Sequence, residues 1–113
     1  MDTHTLEQWR TMIEHILQEY ASVPYSYGNV EKQVIFDRKN DRYLVLIMGW
    51  EGYRYEHGCM IHIEIINNKV WIQRDGTEEG IALDLEESGI PKENIVLGFK
   101  PPEVRPITGY AVG

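Results

Sequence analysis

The first apolar pattern along the chain has a helical period. Leu6, Trp9, Ile13, Ile16, Leu17 and Tyr20 recur at spacings of three, four and seven, which gathers them on one helix face. Thr5 and Gln8 have capping-box spacing and are expected to open this helix, with Pro24 closing it. Residues 22–29 read as a loop, where Tyr25 and Tyr27, with Tyr20, either line a pocket or cover the edge of the core. The period then falls to two. Strands are expected over residues 33–37, 43–50, 60–66 and 69–74. Lys39-Asn40-Asp41 makes a polar turn between the first pair, and Asn67-Asn68 a tight turn between the last, because Asn tolerates positive φ. The second strand is apolar throughout, the pattern of a central strand covered on both faces. The third sets Ile61, Ile63 and Ile65 on one side and His62 and Glu64 on the other; the fourth sets Val70 and Ile72 against Trp71 and Gln73.

After the turn at Asp75-Gly76 the pattern changes. Thr77 is expected to cap a second helix over residues 78–88, with Ile81, Ala82 and Leu85 as its apolar face and Gly89 as a left-handed terminator. Glu86 and Glu87 stand near the negative end of that helix dipole, a misplacement that favours a role in contact with something else. Residues 95–99 form a short apolar segment returning to the body. Pro101, Pro102 and Pro106 then make an arm that lies over the sheet or reaches a neighbouring subunit. The expected fold class is α+β: one domain, residues 1–113, with an antiparallel meander, an N-terminal helix across one face, a short second helix and a proline-containing C-terminal arm.

Composition sharpens this picture in three ways. An apolar fraction of 42% over 113 residues supports a single packed core. One cysteine excludes an intrachain disulfide, the start MDTHTLEQWR is not a signal peptide, and the longest apolar stretch, residues 44–50, is too short to cross a bilayer. A soluble, cytoplasmic protein is the expectation, with no membrane partner. Eleven basic residues against 18 acidic give a net charge of -7, which argues against direct nucleic-acid binding. Seven acidic residues and one lysine between Asp75 and Glu93 concentrate the charge into an acidic face, either a solubilising surface or a dock for a basic partner protein.

Candidate chemistry is sparse. His62, Glu64 and Asp75 are the best catalytic-looking trio, able in principle to hold a metal or move a proton, but the spacing is common and no second histidine completes a ligand signature. His57 and Cys59 lack a group to orient the base, so a buried or half-buried thiol is expected. Gly49, Gly52 and Gly58 do not form a phosphate cradle, and Trp50, Tyr53, Tyr55 and Arg54 carry too little positive charge for a base-stacking platform. No catalytic residue, metal or cofactor is therefore assigned. Trp71 and Gln73 point away from the isoleucine side and must meet the first helix, the arm or another protein.

The run HGCMIHIEIINNKVWIQRDGTEEGIALDLEESGIPKENIVLGFKPPEVRPITGYAV, with Gly49-Trp50 before it, resembles the XisI family, the excision controlling factors of the fdxN element. The likeness is sharpest at His62 and its hairpin, at Lys69-Val70-Trp71-Ile72-Gln73 leading to Asp75, Thr77 and Glu78, and at Gly89-Ile90-Pro91 before Ile95-Val96-Leu97-Gly98-Phe99. It implies a non-catalytic accessory protein of cyanobacteria, acting beside an XisH-like companion to control DNA excision by a separate recombinase during heterocyst differentiation. It also places weight on Trp71, Gln73, Asp75, Thr77, Glu78, Pro91, Arg105 and Ala111. With the acidic helix this gives a candidate partner-binding set: Trp71, Gln73, Arg74, Asp75, Thr77, Glu78, Glu86, Glu87 and Arg105. Two other readings remain open: a small metal-dependent hydrolase or nuclease accessory subunit using His62, Glu64 and Asp75, and a directly DNA-binding homodimer. A dimer is expected in any case, since the apolar strand faces exceed what one helix covers.

Overall fold

A computed structural model describes residues 3–24 and 29–113; Tyr25 and Tyr27 lie outside the described residues. The chain folds as helix α1 (Thr3–Ser22), strands β1 (Asn29–Asp37), β2 (Arg42–Glu51), β3 (Arg54–Ile66) and β4 (Lys69–Asp75), helix α2 (Ile81–Ser88) and strand β5 (Ile95–Leu97). The five strands form one sheet in chain order. The first four make the expected antiparallel meander, whereas β5 pairs parallel to β4 through Val70↔Ile95 and Ile72↔Leu97. The direction of β5 follows from the connection: α2 carries the chain back along β4, so β5 enters at the same end.

Both helices share one core with one face of the sheet. Trp9, Ile13, Ile16 and Leu17 of α1 meet Ile61, Ile63, Ile65, Val70 and Ile72, with Ile81, Ala82 and Leu85 of α2 beside them. Burying each such aliphatic side chain is worth roughly 1.5–3 kcal/mol, so the helical period of α1 becomes stability only through this contact. Polar clamps fix its angle. Arg10 donates from Nε and Nη2 to the Asp41 carboxylate at 2.8 and 3.1 Å, and the Tyr43 hydroxyl donates to the same carboxylate at 2.9 Å. Arg38 donates to Glu14 through Nε and Nη2, each at 2.9 Å, and to Glu7 at 2.8 Å.

Four expectations need correction. Helix α1 already runs at Thr3, so Thr5 lies inside its first turn and Gln8 reaches back to donate to His4 at 3.3 Å. Strand β2 is covered on one face only. Tyr43 and Val45 are fully buried, but Leu44, Leu46 and Met48 on the other face are half-buried, and Ile35 of β1 beside them is 48% exposed. Strands β1 and β3 start four and six residues earlier than expected, because their first halves are polar and carry no apolar alternation. Helix α2 begins at Ile81 with Gly80, φ 90, ahead of it, and Thr77 is not its N-cap. Among the described residues, no helix is long and apolar enough to cross a membrane.

Two turns came out as the residues require. Asn67 and Asn68 take φ 50 and 62 to join β3 to β4 in a two-residue loop. Gly89 is left-handed, φ 116, and ends α2: its N–H donates to the Glu86 carbonyl at 3.0 Å while the Ile90 N–H donates to the Leu85 carbonyl at 3.1 Å.

Candidate partner-binding surface

Eight of the nine candidate residues fall into three separate places, and Arg74 stands apart from them. Trp71, Gln73 and Arg105 sit on the sheet face away from the helices. The C-terminal arm wraps the edge of β5: the Gly98 N–H donates to the Ile72 carbonyl and the Ala111 N–H to the Ile95 carbonyl, both at 2.8 Å, and Ala111 bridges Val96 in parallel. On the face away from the helices, Arg105 and Gly113 stand beside the Trp71 ring. Arg105 stacks its guanidinium 5.2 Å from the Trp71 ring centre and donates to the carbonyls of Lys100 and Gly98 at 3.1 and 3.3 Å. A Cβ at Gly98 would stand 2.7 Å from Gln73 Oε1 and 3.0 Å from the Trp71 ring, so only glycine lets the arm pass this close. Gln73 is held from its other end, where Nε2 donates to Glu64 Oε2 at 2.9 Å.

Asp75 and Thr77 form the second group. One Asp75 oxygen accepts from the Thr77 N–H at 2.9 Å and from the Thr77 hydroxyl; the other accepts from the Ile81 N–H at 2.8 Å. The Thr77 hydroxyl accepts in turn from the Gly80 N–H at 3.1 Å. The carboxylate at the end of β4 thus satisfies the first free amide of α2 across six residues, a capping role that no local sequence pattern announces. Glu78 beside it is exposed.

The third group is the acidic flank of α2. Glu87 is exposed, but Glu86 is engaged within the chain: the Tyr110 hydroxyl donates to it and Lys92 stands 3.9 Å away. Burial, reinforced by Glu86, pushes the Tyr110 phenol up to about 12. The misplaced charge at the helix end therefore anchors the C-terminal arm. Tyr110 is not among the nine candidates; its signal in the sequence is a large aromatic in a tail of otherwise small or aliphatic residues. Arg74 is exposed and donates to the Cys59 carbonyl at 2.8 Å.

The catalytic-looking trio does not assemble. Glu64 is 9% exposed and is taken by Arg42 at 2.8 Å as well as by Gln73. His62 Nε2 lies 3.8 Å from Glu64 Oε1, beyond hydrogen-bond reach, while Asp75 is committed to α2. Among the described residues, no group of three or more His, Cys, Asp or Glu side chains is placed to hold a metal ion. The Cys59 thiol donates to the Ile61 carbonyl at 3.3 Å, and burial raises its pKa, the opposite of an activated nucleophile. A cleft of about 500 Å³ lies between the end of α1, β1 and the loop before α2, lined by Tyr20, Lys32, Thr77, Glu78 and Asp84. Lys32 is already used there: its ammonium sits 4.3 Å over the Tyr20 ring, and burial lowers its pKa.

Comparison with known proteins agrees with this arrangement. The family model for the XisI protein matches residues 1–112. No curated protein matches the chain. Two solved structures, both from Anabaena variabilis, are similar over nearly its whole length. A XisI-like protein is 34% identical with a TM-score of 0.88, covering 96% of this chain and 99% of its own. The fdxN element excision controlling factor XisI is 32% identical with a TM-score of 0.79, covering 96% of this chain and 98% of its own. With the family model matched end to end and the same helix-and-sheet architecture underneath, this chain belongs to the XisI family.

Proposed function

We propose that this chain is a non-catalytic accessory protein that controls site-specific DNA excision, and that it acts by binding a companion protein of the XisH kind in the cytoplasm. The observation that carries this reading is the end-to-end likeness to the fdxN element excision controlling factor of Anabaena variabilis. The chemistry supports it: of the residues that resemble a catalytic trio, Glu64 is engaged by Gln73 and Arg42, Asp75 by the start of α2, and His62 reaches neither carboxylate. A net charge of -7 favours a protein partner over direct contact with DNA. We assign the docking surface to the flank that presents Thr77, Glu78 and Glu87, with Asp75 and Glu86 holding the loop and the arm beside it and Trp71, Gln73 and Arg105 holding the arm on the opposite face of the sheet.

The test is light scattering after size exclusion, with the protein alone and mixed with its companion. The reading expects a stable mixed complex, weakened about tenfold or more when Glu78 and Glu87 are both changed to lysine. Those side chains are exposed, so the variant should melt within a few degrees of wild type. The absence of any mixed complex at high micromolar concentration overturns the proposal. A complex indifferent to the two changes moves the surface elsewhere and overturns the assignment of the flank.

A further inference from the structure

The free edge of β3 reads as its own complement. Strand β4 pairs with β3 only from Ile61 onward, so residues 54–58 pair with β2 on one side and with no strand among the described residues on the other. Glu51 and Arg54 close the two-residue loop Gly52-Tyr53, the position of a hydrogen-bonded pair. Tyr55 and His57, opposite Trp50 and Met48, alternate out of phase with that pair, so their N–H and C=O groups point to the open edge. Around this edge cluster the most exposed aromatics among the described residues: Trp50 at 55%, Tyr53 at 104% and Tyr55 at 52%. Trp50 and Tyr55 stand 5.0 Å apart, and Tyr55 stacks on His57 at 6.3 Å. Arg54 and Glu56 share the opposite face and pair at 2.8 Å.

A second copy can add here antiparallel about a two-fold axis normal to the sheet. Such an axis keeps each side chain on its own face, so only registers centred on a residue are allowed. A centre at Glu56 sets Glu56 against itself. A centre at His57 sets Tyr55 against Cys59 and Arg54 against Met60, whose carbonyls are already taken by Arg74 and Gly76. A centre at Tyr55 sets Arg54 of each copy against Glu56 of the other, and Tyr53 against His57, with Tyr55 meeting its own image in a hydrogen-bonded pair. We propose that a second copy of this chain binds the open edge of β3 in this register, joining two sheets into one through Tyr55 and two reciprocal Arg54–Glu56 pairs. This edge is distinct from the acidic flank.

The experiment is sedimentation equilibrium over roughly 1 µM to 1 mM, together with amide exchange at Tyr55. The mass should rise from the 13.2 kDa of one chain towards twice that value, and protection of the Tyr55 amide should rise with it. Arg54→Glu alone and Glu56→Arg alone should each weaken self-association about tenfold or more, while the two changes in one chain should restore it to within about threefold. Thermal melts check that each variant folds; where one does not, Tyr55→Lys replaces it and should also leave the chain monomeric. A chain that stays monomeric to the highest concentration overturns the proposal. So does a dimer that ignores the single changes, or single changes that the double change fails to rescue. Protection of the Tyr55 amide by the companion protein, without dependence on the chain's own concentration, would give the edge to a different occupant and overturn it as well.

Discussion

Asp75 is where a structural and a catalytic reading of the same residue diverge most. Its carboxylate holds the Thr77 N–H, the Thr77 hydroxyl and the Ile81 N–H, the last being the first free amide of α2. Asp75→Ala removes all three acceptor contacts. The two backbone amides face charged oxygen and are worth about 1.5 kcal/mol each at the low end for such bonds. The hydroxyl turns to water and adds little, so the expected loss is about 3 kcal/mol. For 113 residues the unfolding entropy is roughly 0.24 kcal/mol/K, which converts that loss to about 12 °C in Tm. Asp75→Asn keeps one acceptor oxygen and loses the charge at the helix end, for about 1–1.5 kcal/mol. Helical circular dichroism followed through heat and urea measures both. A residue kept for chemistry at a solvent-facing site would leave stability unchanged or improved on removal. An Asp75→Ala protein within about 0.5 kcal/mol of wild type would refute the capping role.

Four further outcomes follow from contacts elsewhere in the fold. Asp41→Ala strands the Arg10 guanidinium and the Tyr43 hydroxyl and should cost about 3 kcal/mol by urea titration. Burial pushes the Asp41 carboxyl up, but its hydrogen bonds from Arg10 and Tyr43 outweigh that and hold it below the ordinary 3.8. The stability it supplies is present above 3.8 and is lost as pH falls through the lowered value, so Asp41→Asn should flatten the acid end of the stability curve. At the alkaline end Tyr110, raised to about 12 by burial and Glu86, supplies stability that is present below 10 and fades as pH rises towards 12. Melts between pH 8 and 12 should show a shallower decline for Tyr110→Phe, with Tyr43, which burial and Asp41 also raise, and Cys59, which burial raises, contributing to the rest. Gly49, at φ 143, would place a Cβ 2.0 Å from the Asn29 carbonyl oxygen; Gly49→Ala should break the β1–β2 ladder, cost roughly 3 kcal/mol or more and show it as a sharp fall in Tm.

What the sequence revealed tracks the range of the interaction involved. The face of α1, the isoleucine side of β3, the Asn67-Asn68 turn and the Gly89 terminator are each decided by a few neighbouring residues, and each stands as read. The start of α2 does not. A local rule nominates Thr77, but the oxygen that meets the Ile81 amide comes from Asp75 six residues earlier, once the turn between them has formed. The parallel entry of β5 is likewise invisible in Ile95-Val96-Leu97, because an apolar tripeptide carries no direction. Strand β2 misled for another reason. Leu44, Leu46 and Met48 read as buried on a second covered face, but both helices and most of the core lie on the first.

The candidate surface was legible as a list and not as a place. Trp71, Gln73 and Arg105 are unusual residues in the sequence because each fits one slot: a ring under a guanidinium, an amide against Glu64, and a glycine passage between them. Residues locked so tightly to their own chain have little freedom to recognise another, whereas Glu78 and Glu87 carry charge with no packing role. The two sets therefore answer different experiments. Changing Trp71 should loosen the arm and lower stability whether or not a partner is present; changing Glu78 or Glu87 should leave the fold alone and act only on binding. A surface defined by its most distinctive residues would in this protein be the support rather than the contact, and the difference between melting and binding measurements is what separates them.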